Sequence, residues 1–129
     1  MPDSALFAGC TPRERRSLQR LGTGVRVQAG TTLTPEGHPG KEFFVVEDGN
    51  AMCSVRGTER ARFQAGDFFG EMALLDGGPR TATVTAETSM DLVVYSLVEF
   101  REMLDSSACI QRRLLVELAR RLRVADAAA

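Results

Sequence analysis

Tryptophan is absent from this chain, and tyrosine, histidine and lysine occur once each, as Tyr95, His38 and Lys41. A lone histidine excludes a histidine-rich metal shell, because such a site needs several nitrogen or sulfur ligands. It also leaves no material for a Ser-His-Asp or Cys-His constellation, so no catalytic residue, no metal and no enzyme activity is expected. Cys10, Cys53 and Cys109 are odd in number and far apart, which is poor material for a disulfide framework. They read as idle or buried thiols in a reducing compartment. No apolar run approaches the ~20 residues of a membrane span, and the N-terminus lacks an apolar signal core. A cytoplasmic location is the expectation that follows. Sixteen basic residues face 17 acidic ones, a net charge of −1, which gives no global pull toward nucleic acid. That nearly every cation is arginine fits genome base composition more than function.

What is present suits one soluble domain over residues 1–129, with 43% hydrophobic residues to fill a core. Residues 1–10 are expected to be loosely ordered. Thr11-Pro12-Arg13-Glu14 then opens a helix, with Thr at N-cap, Pro at the first helical position and Glu reaching back. Leu18 and Leu21 face inward, and Gly22 stops the helix. From Val25 to Ser96 the texture is one of short apolar or alternating runs punctuated by turns. The candidate strands are Val25 to Val27, Glu42 to Val46, Ala51 to Val55, Arg60 to Phe63, Thr81 to Ala86 and Asp91 to Ser96. Strands this short and this regularly spaced predict a sandwich or barrel. Helical periodicity resumes at Leu97 to Leu104 and again from Ser107 to Val124. There Ile110, Leu114, Leu118 and Leu122 form a stripe flanked by Leu115 and Ala119. His38, in Gly37-His38-Pro39-Gly40, is expected in an exposed turn.

The run from Phe68 to Val84 carries the chemistry. It sets Glu71 and Arg80 on either side of a short apolar helix and the bend Gly77-Gly78-Pro79. A guanidinium presents a planar fork that fits two phosphate oxygens. A carboxylate accepts from sugar hydroxyls, and backbone N–H groups at a helix start favour an anion in front of them. On position alone Arg80 would be a solvated residue at a loop-to-strand junction and Glu71 a helix-start acid stabilised by the macrodipole.

Phe69-Gly70-Glu71-Met72-Ala73-Leu74, followed by Pro79-Arg80-Thr81-Ala82-Thr83-Val84, resembles the phosphate-binding cassette of the cyclic nucleotide-binding domain family. Pro35-Glu36-Gly37 and Phe43 to Gly49 resemble its usual lead-in. The resemblance implies a mainly β fold: a jelly roll over residues 25–96, an N-terminal helix, a short cassette helix at Glu71 to Leu75, and two C-terminal helices over residues 97–125. It implies that Arg80 enters the barrel and holds the cyclic phosphate, and that Glu71 accepts the ribose 2′-hydroxyl. Backbone N–H groups of Gly70, Met72 and Ala73 would contact ribose or phosphate, with Thr81 and Ala82 completing the site.

The ligand implied is a cyclic purine nucleotide, cyclic AMP ahead of cyclic GMP, because Thr81 tilts the choice only slightly. Leu118 to Val124 is similar to the helix that bacterial activators of the family extend into a DNA-reading domain. Where those activators carry a Thr-Ser pair on adenine, this chain has Ala125 and Asp126. Val124, Ala125 and Asp126 are the candidate lid contacts. Arg112, Arg113, Arg120, Arg121 and Arg123 make a basic patch without interleaved aromatics, read as a solvated face and not as a nucleic-acid surface. The implied role is a regulatory receptor signalling to an effector protein or fused effector domain. The alternative is an interaction scaffold that kept the fold and lost the ligand.

Overall fold

The computed structural model describes residues 5–128, with side chains over residues 6–124. The chain opens with a 3-10 turn at Ala5–Phe7, and helix α1 follows at Pro12–Leu21. The capping box read from the sequence is present: Glu14 N–H donates to Thr11 Oγ1 at 3.1 Å, and Thr11 N–H donates to Glu14 Oε1 at 2.9 Å. Those two bonds hold the Glu14 carboxyl below its ordinary range. The expectation that residues 1–10 are loose is corrected over the described part. Leu6 and Phe7 are buried, because they plug the floor of the helical layer against Ile110 and Leu114. Residues 1–4 lie outside the described range.

Eight strands follow: β1 Thr23–Val27, β2 Thr32–Thr34, β3 Glu42–Asp48, β4 Ala51–Val55, β5 Thr58–Phe63, β6 Phe68–Phe69, β7 Thr83–Ala86 and β8 Met90–Ser96. Helix α2, Glu71–Asp76, is inserted between β6 and β7, and α3 (Leu97–Ser106) and α4 (Ala108–Ala128) close the chain. The strands pair antiparallel in two four-stranded sheets, ordered β1-β8-β3-β6 and β2-β7-β4-β5. That is the jelly roll expected.

Strand β3 explains why Glu42 to Val46 reads as a continuous apolar run. Both of its faces are covered, so period-2 alternation has no solvent side to mark. Phe44 and Val46 point between the sheets with Val84, Ala86, Met90 and Leu92. Phe43 and Val45 point outward to a second core with Leu18, Tyr95, Phe100, Met103, Ile110 and Leu114, which holds the helices on the barrel. Tyr95 is fully buried there, and its hydroxyl donates to Leu18 O at 3.0 Å. The bond satisfies a carbonyl at the end of α1 that the helix itself leaves without a partner.

The stripe on α4 is only half internal. Ile110 and Leu114 are buried, whereas Leu115 and Leu122 are more than 60% exposed. The cysteine reading is overturned: Cys10 and Cys109 form a disulfide, with Cα atoms 5.4 Å apart. The partners are 99 residues apart in sequence, so no local spacing announces a contact that only the docking of the first turn on α4 creates. Cys53 remains a free, half-buried thiol. Among the described residues no helix is long and apolar enough to cross a membrane.

Candidate functional site

Strand β6 delivers the chain to Gly70, whose φ of 95° turns it sharply into α2. A side chain would be strained there. A Cβ would also stand 2.8 Å from Arg80 Nη1 and 2.9 Å from Glu42 O. Gly70→Ala should therefore lose at least the ~1–2 kcal/mol that a left-handed residue costs. The closing contacts with Arg80 should push the loss higher. Urea denaturation checks this, and wild-type stability in the variant would count against so tight a fit.

Arg80 is pinned at both ends. Its backbone N–H donates to His38 O at 2.8 Å and its carbonyl accepts from Gly37 N–H at 2.9 Å, locking the bend after Pro79 to an exposed turn. This anchoring delays the next strand, so Thr81 and Ala82 lie ahead of β7 and not in it. The Arg80 side chain runs inward past Gly40, where a Cβ would come 2.9 Å from its Nε. Its Nη1 donates to Gly70 O at 3.0 Å and its Nη2 to Glu42 O at 2.6 Å. The residue is 7% exposed. Burial pushes the guanidinium pKa down, while Glu42 and Glu71 pull it up. Arginine nonetheless stays protonated in proteins, so a positive charge is held in the wall of the fold by carbonyl dipoles. Two of its five donors are engaged by these carbonyls.

Glu71 opens α2 and is 1% exposed. Its Oε1 accepts from Arg121 Nη1, an ion pair between α2 and α4. Its Oε2 has no hydrogen-bond partner among the described residues. Arg121 is half-buried, lies 5.8 Å from the Phe68 ring centroid and reaches Glu117 at 3.4 Å on its own helix. Burial alone would raise the Glu117 carboxyl, but Arg120 and Arg121 together hold it below its ordinary range. The reading of the α4 arginines as a solvated face is thus corrected for Arg121. A buried carboxylate needs a cation, and Arg121 is the one the helix brings to it.

Arg80, Glu71 and Arg121 line one cavity of about 110 Å³, together with Gly70, Met72, Ala73, Thr81 and Ala82. Phe63, Phe69, Val84 and Cys53 supply an apolar wall. The structure thus gathers every cassette residue expected at the site. It does not bring Val124 there, whose side chain is 66% exposed. The side chains of Ala125 and Asp126 lie outside the described residues.

A family model for the cyclic nucleotide-binding domain matches residues 24–107. The chain belongs to the cyclic nucleotide-binding domain family. This cyclic nucleotide-binding domain is 33% identical over 110 residues to a cAMP-dependent protein kinase regulatory subunit of Aspergillus niger, an alignment covering 84% of the chain and 27% of the relative. The domain therefore spans about a quarter of the length of that curated relative. The crystal structure of the Thermus thermophilus catabolite activator protein superposes with a TM-score of 0.87 at 29% identity, covering 95% of this chain and 60% of that one. The regulatory domain of Toxoplasma gondii PKA, co-crystallised with cAMP, gives 0.67 at 32% identity, covering 78% and 40%. The family match thus gives the chain the domain type whose description is cyclic nucleotide binding.

Proposed function

We propose that this domain reversibly binds a cyclic purine nucleotide, cyclic AMP ahead of cyclic GMP, and acts by binding and not by turnover. Arg80 holds the cyclic phosphate and Glu71 accepts the ribose 2′-hydroxyl through Oε2, the oxygen without a partner among the described residues. The N–H groups of Gly70, Met72 and Ala73 line the ribose and phosphate, while Thr81 and Ala82 close the far side. The carrying observation is a buried guanidinium bonded to two carbonyls, facing the same cavity as a buried carboxylate oxygen that has no hydrogen-bond partner among the described residues. A scaffold without a ligand has no physical need for either.

The cavity is smaller than the ~300 Å³ and upward typical of ligand pockets, and Arg121 lies along it. Entry of a nucleotide therefore moves α4, a population shift that the ligand drives by contacting the displaced arrangement better. That movement is the signal passed to an effector protein or to a fused effector domain.

Thermal unfolding with and without nucleotide tests the reading. Ligand at 100 times its dissociation constant stabilises by about 2.7 kcal/mol, on the order of 10 °C for a domain of this size. Cyclic AMP should give that shift and cyclic GMP a similar or smaller one. Linear 5′-AMP should give none, because its dianionic, freely rotating phosphate fits a single guanidinium poorly. No shift with any cyclic nucleotide at saturating concentration would return the domain to the scaffold reading.

A further inference from the structure

The Cys10–Cys109 disulfide lies outside the nucleotide site, yet it fastens the helix that reaches into it. Cys109 is in the first turn of α4, and Cys10 ends the turn that follows the 3-10 segment, its N–H donating to Phe7 O at 3.0 Å. Both residues are half-buried, open enough for an attacking thiolate. Twelve residues further along α4, about 18 Å at 1.5 Å per residue, Arg121 pairs with Glu71. Between these points Ile110 and Leu114 are buried against Leu6 and Phe7, so the first half of α4 packs on the segment that Cys10 terminates. A rigid helix with one end covalently fixed and the other lying along the cavity transmits the state of the first to the second.

We propose that this disulfide is a redox-controlled staple that holds α4 over the site and restrains nucleotide entry. The proposal rests on the functional reading above, since the restrained ligand is the cyclic nucleotide. While the staple is closed, Arg121 stays on Glu71, the carboxylate assigned to the ribose, and α4 resists the displacement that entry requires. Opening it needs a dithiol reductant, whether protein or small molecule. One thiolate of the dithiol attacks a disulfide sulfur to form a mixed disulfide, and its second thiol resolves that bond. The dithiol leaves as a disulfide, and two electrons and two protons end on the Cys10 and Cys109 sulfurs. The first turn of α4 is then held without a covalent tie, by apolar packing and by the Gln111 amide on Leu104 O, and the Glu71–Arg121 pair opens more often.

Two measurements on the full chain decide the proposal. Amide hydrogen exchange over residues 107–124 without nucleotide should quicken when the protein is reduced under native conditions. The association rate of cyclic AMP should rise roughly fivefold or more, the lower end of ordinary allosteric coupling. The Cys10→Ala/Cys109→Ala double variant should match the reduced protein and ignore reductant; should it fail to fold, the reduced wild-type chain carries the test. Unchanged exchange on reduction would overturn the staple whatever the ligand does. Quickened exchange with equal or slower association in the reduced form would overturn the coupling. Absence of cyclic nucleotide binding in both redox states would overturn the functional reading and the coupling with it, while the exchange result still decides the staple.

Discussion

Arg80→Ala should weaken cyclic AMP binding by at least two orders of magnitude. Charge-assisted hydrogen bonds are worth ~1.5–3 kcal/mol each, and a guanidinium gives a phosphate two of them in a fixed fork. At ~1.4 kcal/mol per tenfold, losing both exceeds a hundredfold. Two further effects act in the same direction. Gly70 O and Glu42 O lose their donor, which loosens the entry to α2, and Glu71 loses a favourable neighbouring charge. Arg80→Lys keeps the charge but not the fork and should fall between wild type and alanine. Isothermal titration calorimetry on the three proteins reads the series directly. Equal affinity in wild type and Arg80→Ala would remove the phosphate clamp from consideration.

Reducing the disulfide should produce the largest change in stability. It closes a loop across 99 residues, and in the chain-entropy model a loop near that length is worth about 4.7 kcal/mol, with ~2–4 kcal/mol more typical in practice. For a domain of this size a few kcal/mol is on the order of 10 °C in melting temperature. Calorimetry of the oxidised and reduced protein should show this loss. A shift below ~2 °C, far under the change expected here, would mean that Leu6, Phe7 and Ile110 hold the first turn on α4 without covalent help.

Much of this architecture could be read from residues alone, and the exceptions have physical causes. The α1 capping box, the apolar run of β3 and the turn-bounded strands were all visible because each is a local pattern with its own chemistry. Strands β2 and β6 were not, since three and two residues are too few to display any period. Strand β7 was drawn two residues too early because the β-favouring Thr81 and Ala82 conceal the anchoring of Arg80 to the 37–38 turn. At the site, the residues named from the family resemblance line one cavity. Arg121 escaped because it sits among four other arginines of α4 and reads with them as one solvated face. The available signal was the other half of the pair: a glutamate at the buried start of a helix demands a cation, and α4 carries the nearest surplus. The disulfide left no comparable trace, because its partners stand 99 residues apart with every strand of the two sheets between them in sequence.

The hydrogen bonds from Arg80 to two main-chain carbonyls also bear on when the proposed phosphate clamp is assembled. An arginine side chain carries about 2 kcal/mol of rotamer entropy. Here much of that freedom is surrendered as the chain folds, not when a phosphate arrives. An incoming anion thus meets donors already aimed and a charge already stripped of much of its water, which favours tight binding from few contacts. The same arrangement burdens the protein whenever no anion is there to offset the buried charge. Holding a desolvated charge ready in this way is the usual opposition between stability and activity at a functional site. The domain's resistance to unfolding should accordingly track the nucleotide concentration around it more closely than its core packing alone would suggest.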